Sequence, residues 1–226
     1  MTAADYKWYH RIQLPDGTWT REDDPYPSVQ FILKQLDGFS FEGKRVLDIG
    51  CRDGQFSLLA EQKGAYVIAV DNYRSAGMME LLRVLDSAIF FRHETVYDVR
   101  DKGADVVMLF GVLYHLRYPM LGLKACLDCL RMGGILLLET AIVYHYSFPL
   151  LYCPVNSSPY EPSSCSFFNS AGLTETLASL GGRIVHSKYL DMPQGDPPVD
   201  RGFFVIEKVA PSVPAEVWAQ WHEVIS

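Results

Sequence analysis

Residues 46–56 read VLDIGCRDGQF, an apolar strand-like run that ends in an acid and passes through Gly50 and Gly54 into a helical pattern. A strand, a glycine-bearing turn and a helix in immediate succession predict a βα unit of a parallel sheet with a ligand site at the turn. The turn also restricts the ligand. A dinucleotide loop needs glycine at its first, third and sixth positions, and counting from Gly50 the chain offers Gly50, Arg52 and Gln55. No Gly-Lys-Ser/Thr follows, which excludes a phosphate-binding P-loop. What is left is acid-x-Gly-x-x-x-Gly, carried by Asp48, Gly50 and Gly54, around a nucleoside-like ligand that brings no phosphate against the backbone at Arg52.

From residue 44 onward, strand-like runs alternate with helical patterns, which predicts an α/β fold with a mostly parallel, doubly wound sheet and helices on both faces. Strands are expected over 45–49, 66–70, 88–92, 105–110 and 135–139. The helix after the first strand puts Phe56, Leu59 and Ala60 on one face and stops at Gly64, and a later one turns Leu173, Leu177 and Leu180 inward and stops at Gly181. Two further strand-like runs, 183–190 and 201–209, are joined by DMPQGDPPVD, too polar and proline-rich for a crossover helix, so they are expected to close the sheet as an antiparallel hairpin. With 226 residues, 49% apolar and 21% charged, the chain fits one domain over 1–226. Its flanking parts are an N-terminal cap over 1–43, whose helix turns Val29, Ile32, Leu33 and Leu36 inward, and an aromatic, proline-broken insertion over 141–168 on the substrate side.

Five βα units closed by an antiparallel hairpin resemble class I S-adenosylmethionine-dependent methyltransferases, whose Rossmann-like sheet places the last strand between two earlier ones. The resemblance implies S-adenosyl-L-methionine as donor, S-adenosyl-L-homocysteine as product, and a part for particular residues. Asp48 suits the donor's amino group, and Gly50, Cys51 and Gly54 curve beneath its amino-acid moiety. Asp71, with Asn72 beside it, stands 21 residues after Gly50, close to the spacing of ~20 at which an acid meets ribose hydroxyls in such folds; a solvated turn acid is the alternative. HETVYDV brings Thr95 and Val96 beneath the adenine, with Thr95 where many methyltransferases have an aspartate, and Phe110 and Gly111 line the methionine side. Arg52 is expected to turn outward, toward Asp53 or Glu94.

The stretch GVLYHLRYPMLGLKACLDCLRMGGILLLET is similar to the catalytic domain of tRNA wobble-uridine carboxymethyltransferases and their shorter bacterial relatives, which Trp8, Tyr9, His10 and the LPDG of 14–17 also resemble. Methyl or carboxymethyl transfer is what this likeness implies. Aligning FFNSA with the family's FIPSA-like segment puts Ser163 where the family has an arginine that holds the donor's extra carboxylate, so ordinary S-adenosylmethionine is expected. The charge balance, 20 basic minus 27 acidic residues or −7, comes without a basic run. That disfavours nucleic acid and favours a small-molecule acceptor. RNA modification and a non-catalytic cofactor-binding partner are the alternatives.

Methyl transfer from a sulfonium is an in-line displacement in which proximity and alignment supply most of the rate, and a base matters only where the nucleophile loses a proton. His115 is the first candidate base, with loop positioning as its alternative; Glu139, an acid ending an apolar strand where burial would raise its pKa, and His145 in the insertion follow. Trp8, His10, Tyr114, Tyr144 and Tyr146 are the candidate substrate contacts, with packing the alternative for the tyrosines and anchoring for Trp8. No His/Cys spacing suggests a metal: Cys126 and Cys129 share a helical stripe with Leu123, Leu127 and Leu130, which reads as packing. Five cysteines, an odd number, fit a reducing compartment, and no apolar run is long enough for a membrane span, so a cytoplasmic protein is expected. The C-terminal run PAEVWAQWHEVIS reads as an amphipathic helix docking Trp218, Trp221 and Ile225 on the body or on another subunit, which leaves a homodimer open.

Overall fold

Side chains that alternate between two buried faces organise the sheet, as a computed structural model describes it over residues 6–23, 26–144, 146–155 and 157–212. The parallel strands are β1 (Arg45–Ile49), β2 (Tyr66–Asp71), β3 (Phe90–His93), β4 (Ala104–Phe110) and β5 (Leu130–Val143), arranged β3-β2-β1-β4-β5. Short strands β6 (Leu151–Tyr152) and β7 (Phe167–Phe168) pair with each other, and β7 joins the far end of β5 at Ile142. β8 (Gly182–Tyr189) and β9 (Val199–Lys208) form the expected hairpin, with β9 antiparallel between β5 and β8.

Helices α1 (Pro27–Leu36), α2 (Gln55–Gln62) and α3 (Ala76–Val84) cover one face, where they share a buried cluster with Val46, Val106, Met108, Leu137 and Phe203. The other face carries α4 (Pro119–Cys129) and α5 (Ser170–Ser179), clustered with Leu47, Ile49, Val107, Leu109, Leu136, Leu138 and Phe204. Neighbouring strand residues thus fall into opposite clusters, as the period of two requires. Prolines open α1 and α4, where a missing N–H is no loss. Side chains cap two others: Ser75 accepts the Met78 N–H at 3.2 Å before α3, and Asn169 the Gly172 N–H at 2.7 Å before α5.

Two boundaries differ from expectation for tertiary reasons. β5 starts at Leu130, which pairs with Ala104 of β4, and runs to Val143 because β9 pairs with it from Ile135 to Val143, so the first three residues assigned to the insertion are strand. That also ends the expected α4 stripe at Cys129, with Leu130 in the sheet. Cys126 and Cys129 are buried in the second cluster, and burial pushes the Cys129 thiol up to about 11. His145 and the C-terminal segment with Trp218, Trp221 and Ile225 lie outside the described residues.

Candidate functional site

The glycine loop closes at the carboxyl end of β1, where open α/β sheets bind ligands. Gly50, Arg52 and Gly54 have φ of 82°, 50° and 81°. A Cβ on Gly50 would lie 2.2 Å from Val112 Cγ2, so only glycine lets the loop approach the β4 end. Asp71 ties the loop to β2: its Oδ2 accepts the Arg52 N–H at 2.8 Å and its Oδ1 the Tyr73 N–H at 2.7 Å. Each carboxylate oxygen keeps an acceptor position, enough for a pair of hydroxyls. Asp48 lies beneath, with Ser57 donating to its Oδ2 at 2.5 Å. Burial pushes its pKa up to about 7, the Ser57 bond opposing and the Asp71 charge adding. Cys51 turns its thiol to Met78 Sδ at 4.0 Å, so its part in the loop is main chain.

The raised carboxyl of Asp48 has a consequence for stability. A folded-state value near 7 against an unfolded value of ~3.9 means that its contribution is complete below about pH 4 and is lost as pH rises through about 7, on the order of a few kcal/mol in all. Asp48→Asn is expected to flatten the wild-type decline in urea-unfolding free energy across that window. An identical slope in both proteins would remove Asp48 as its source.

Arg52 does not reach Asp53 or Glu94. Its guanidinium sits 4.1 Å from the Tyr73 ring centroid and 5.7 Å from that of Tyr9. Asp53 is occupied elsewhere: Oδ2 accepts the backbone N–H groups of Tyr9 at 2.5 Å and His10 at 3.0 Å, and Oδ1 accepts the Ser75 hydroxyl at 2.8 Å. One buried carboxylate therefore straps the N-terminal segment onto the loop, while Glu94 lies 3.3 Å from Arg92. Trp8 packs on α3, where a Cβ on Gly77 would come 2.9 Å from its ring, and this is the anchoring arrangement. His10 meets Phe56 edge-on at 5.7 Å, Phe56 meets Phe110 at 5.0 Å, and Phe110 stacks on Phe203 at 6.0 Å, forming an apolar floor. At the β2 and β3 ends, the Asn72 carbonyl contacts His93 Nε2 at 2.9 Å, Val96 is buried, and the Thr95 hydroxyl donates to Asp98 at 2.5 Å. Asp98 thus brings to this corner the carboxylate that Thr95 lacks.

Beyond Gly111 lies a polar cluster centred on Arg201. From β9, its Nε and Nη2 donate to the two oxygens of Glu139 at 2.5 Å each, and its Nη1 donates to the hydroxyls of Tyr114 at 2.7 Å and Tyr160 at 2.9 Å. The Gly111 N–H also bonds Glu139 at 3.1 Å. Glu139 holds Arg201 in place through both of its oxygens, a two-point brace. Burial raises the Tyr114 phenol well above its usual range and pushes Tyr9 up to about 12; Tyr9 also feels the charges of Arg201 and Glu161. Both hydroxyls remain donors at neutral pH. His115 adjoins the cluster, its ring 4.2 Å from that of Tyr114. Its Nδ1 lies 3.2 Å from the Ser163 carbonyl, which only accepts, so Nδ1 carries a hydrogen, and Nε2 lies 3.6 Å from Glu161 Oε1. Tyr144 is elsewhere: it donates to Asp200 at 3.0 Å, and Asp200 alternates with Arg201 to the opposite face of β9. Tyr146 is exposed, with the Phe148 ring at 6.0 Å from its own.

Sequence reading missed Arg201, Tyr160, Glu161 and Asp53. For Arg201 a partial signal existed: β5 carries a single acid, Glu139, after the apolar run 135–138. Such lone charges bury only as partners. Tyr160 and Glu161 sit in the insertion without periodicity to mark them.

A family model described as a methyltransferase domain matches residues 21–187. Over 120 residues the chain is 38% identical to a tRNA U34 carboxymethyltransferase of Azotobacter vinelandii, covering 50% of this chain and 37% of that protein. Over 145 residues it is 32% identical to a ubiquinone biosynthesis O-methyltransferase of Idiomarina loihiensis, covering 62% and 57%. The matched stretches thus span about a third to somewhat over half of these relatives. Among solved structures it is similar to the Burkholderia thailandensis 1,6-didemethyltoxoflavin-N1-methyltransferase, with TM-score 0.61, 18% identity and coverage of 81% and 77%. The N-terminal domain of EvdMO1 gives TM-score 0.66, 17% identity and coverage of 92% and 94%. At these identities the structural likeness is one of fold.

Proposed function

We propose, for a chain that belongs to the methyltransferase-domain family, that it transfers the methyl group of S-adenosylmethionine to an oxygen or nitrogen of a small molecule. The observation that carries this is the placement, at the carboxyl-terminal ends of β2 and β4, of the Asp71 carboxylate, which keeps acceptor positions beside the loop N–H groups, and of His115, whose Nδ1 meets the Ser163 carbonyl and whose Nε2 lies beside Glu161. The residues fit the donor's chemistry. Asp71 has acceptor positions for ribose hydroxyls, Asp48 suits an ammonium, and the one cation of the loop, Arg52, lies against tyrosine rings. When bound, S-adenosylmethionine supplies an electrophilic methyl on a sulfonium.

The chain's own residues do the rest. Tyr114, locked by Arg201 and Glu139, lines the approach to Gly111 and orients the acceptor through its hydroxyl. His115 Nε2 takes the proton of the attacking O–H or N–H, and Glu161 stabilises the imidazolium that results. His115→Ala is expected to lower kcat by ~10²–10⁴-fold while leaving S-adenosylhomocysteine binding unchanged. Full turnover in that variant would reduce His115 to positioning. Titration calorimetry with S-adenosylhomocysteine tests the reading at its root, since absence of binding overturns it.

The edge-to-face pairing of Tyr114 and Tyr160, 5.5 Å between ring centroids, and a net charge of −7 support a small acceptor. A second reading, modification of a tRNA wobble uridine, is favoured by the 38% identity to a protein of that name. A gel shift with tRNA that weakens steeply with salt would select it.

A further inference from the structure

The insertion borders an open polar space next to the residues of the proposed reaction. A cavity of ≈ 470 Å³ opens between the chain beyond His115 and residues 154–165, with Arg117, Ser157, Tyr160, Glu161 and Ser164 on its wall. Tyr160 bonds Arg201 and Glu161 faces His115, so the cavity adjoins the acceptor cluster through a shared wall.

Two wall groups stand without partners. Ser164 is 5% exposed, and its hydroxyl makes no hydrogen bond among the described residues. A buried polar group in that condition is costly unless something bonds it. Arg117 forms no ion pair, hydrogen bond or ring contact among the described residues. Glu161 is the one acid among the lining residues, and its oxygen is turned to His115 Nε2 at 3.6 Å. Arg117 is the one Lys or Arg among the lining residues, and a guanidinium's forked donors match the oxygens of a carboxylate or phosphate.

We infer that this cavity is the far end of the acceptor site and takes an oxyanion of the acceptor on Arg117 and Ser164, while the nucleophilic O–H or N–H at the other end reaches His115. The acceptor is then a small anionic molecule. Its description as an acceptor rests on the methyl-transfer reading, whereas the oxyanion site does not.

Inorganic phosphate and, separately, acetate are titrated into the full chain at constant ionic strength against chloride, followed by amide chemical shifts. Saturable binding is expected for at least one of them: phosphate alone identifies a phosphoryl group, acetate alone a carboxylate. Arg117→Gln is expected to weaken it at least ~tenfold and Ser164→Ala about threefold, with S-adenosylhomocysteine affinity unchanged in both. A response no different from chloride, wild-type anion binding in Arg117→Gln, or competition between phosphate and S-adenosylhomocysteine would overturn the inference. If the wild-type chain fails to bind S-adenosylhomocysteine while Arg117→Gln still abolishes anion binding, the methyl-transfer reading falls and the oxyanion site stands.

Discussion

Arg201→Met is expected to cost the fold about 3–5 kcal/mol, because it strands a buried carboxylate. Glu139 is fully buried and Arg201 7% exposed, and the guanidinium supplies two of the hydrogen bonds to that carboxylate and both of its own to Tyr114 and Tyr160. Methionine retains most of the side-chain volume, so the loss reports charge and hydrogen bonding more than a cavity. Urea unfolding measures it directly. The double variant Glu139→Gln/Arg201→Met removes the uncompensated charge and is expected to recover part of the deficit, a non-additivity that a purely steric defect would not show. A single-variant cost below ~1 kcal/mol would mean that the pair does not lock the cluster.

Asp71→Asn is expected to weaken S-adenosylhomocysteine binding by ~100-fold or more. A hydrogen bond to a charged group contributes about 1.5–3 kcal/mol, two hydroxyls give about twice that, and each 1.4 kcal/mol is tenfold. Asparagine is isosteric but offers one acceptor oxygen in place of two, and its amide must face either the Arg52 or the Tyr73 N–H, both donors. Calorimetric titration gives the affinity and circular dichroism checks that the loop change leaves the fold intact. Affinity within about threefold of wild type would sink the assignment of Asp71 to the ribose, since a single charge-assisted bond exceeds that.

These two residues differ in how visible they are along the chain. Asp71 follows from spacing, because a strand, a turn of fixed size, a helix and a second strand leave its position little freedom. The βα alternation, the hairpin and the face of α2 were legible for the same reason: each rests on a period of two or 3.6 within a short window. Glu139 shows the opposite case. A lone acid ending an apolar strand signals burial, but whether it is a base or a brace depends on which cation the sheet order brings beside it, and Arg201 arrives from 62 residues away. Tyr144 and Trp8 read as pocket aromatics by composition, yet the pleat of β9 and the Gly77 surface of α3 carry them elsewhere.

Local sequence alone determined the glycine turn, the acid at the end of β2, the exclusion of a pyrophosphate loop by Arg52 and the antiparallel close of the sheet, because backbone geometry and side-chain periodicity act over neighbouring residues. Only the tertiary structure decided that Asp53 straps the N-terminal segment to the loop, that Arg52 lies on Tyr73, and that Arg201, Glu139, Tyr114 and Tyr160 meet beside His115. Buried charges are stable only when long-range folding supplies their partners, and no local pattern encodes which partner that will be.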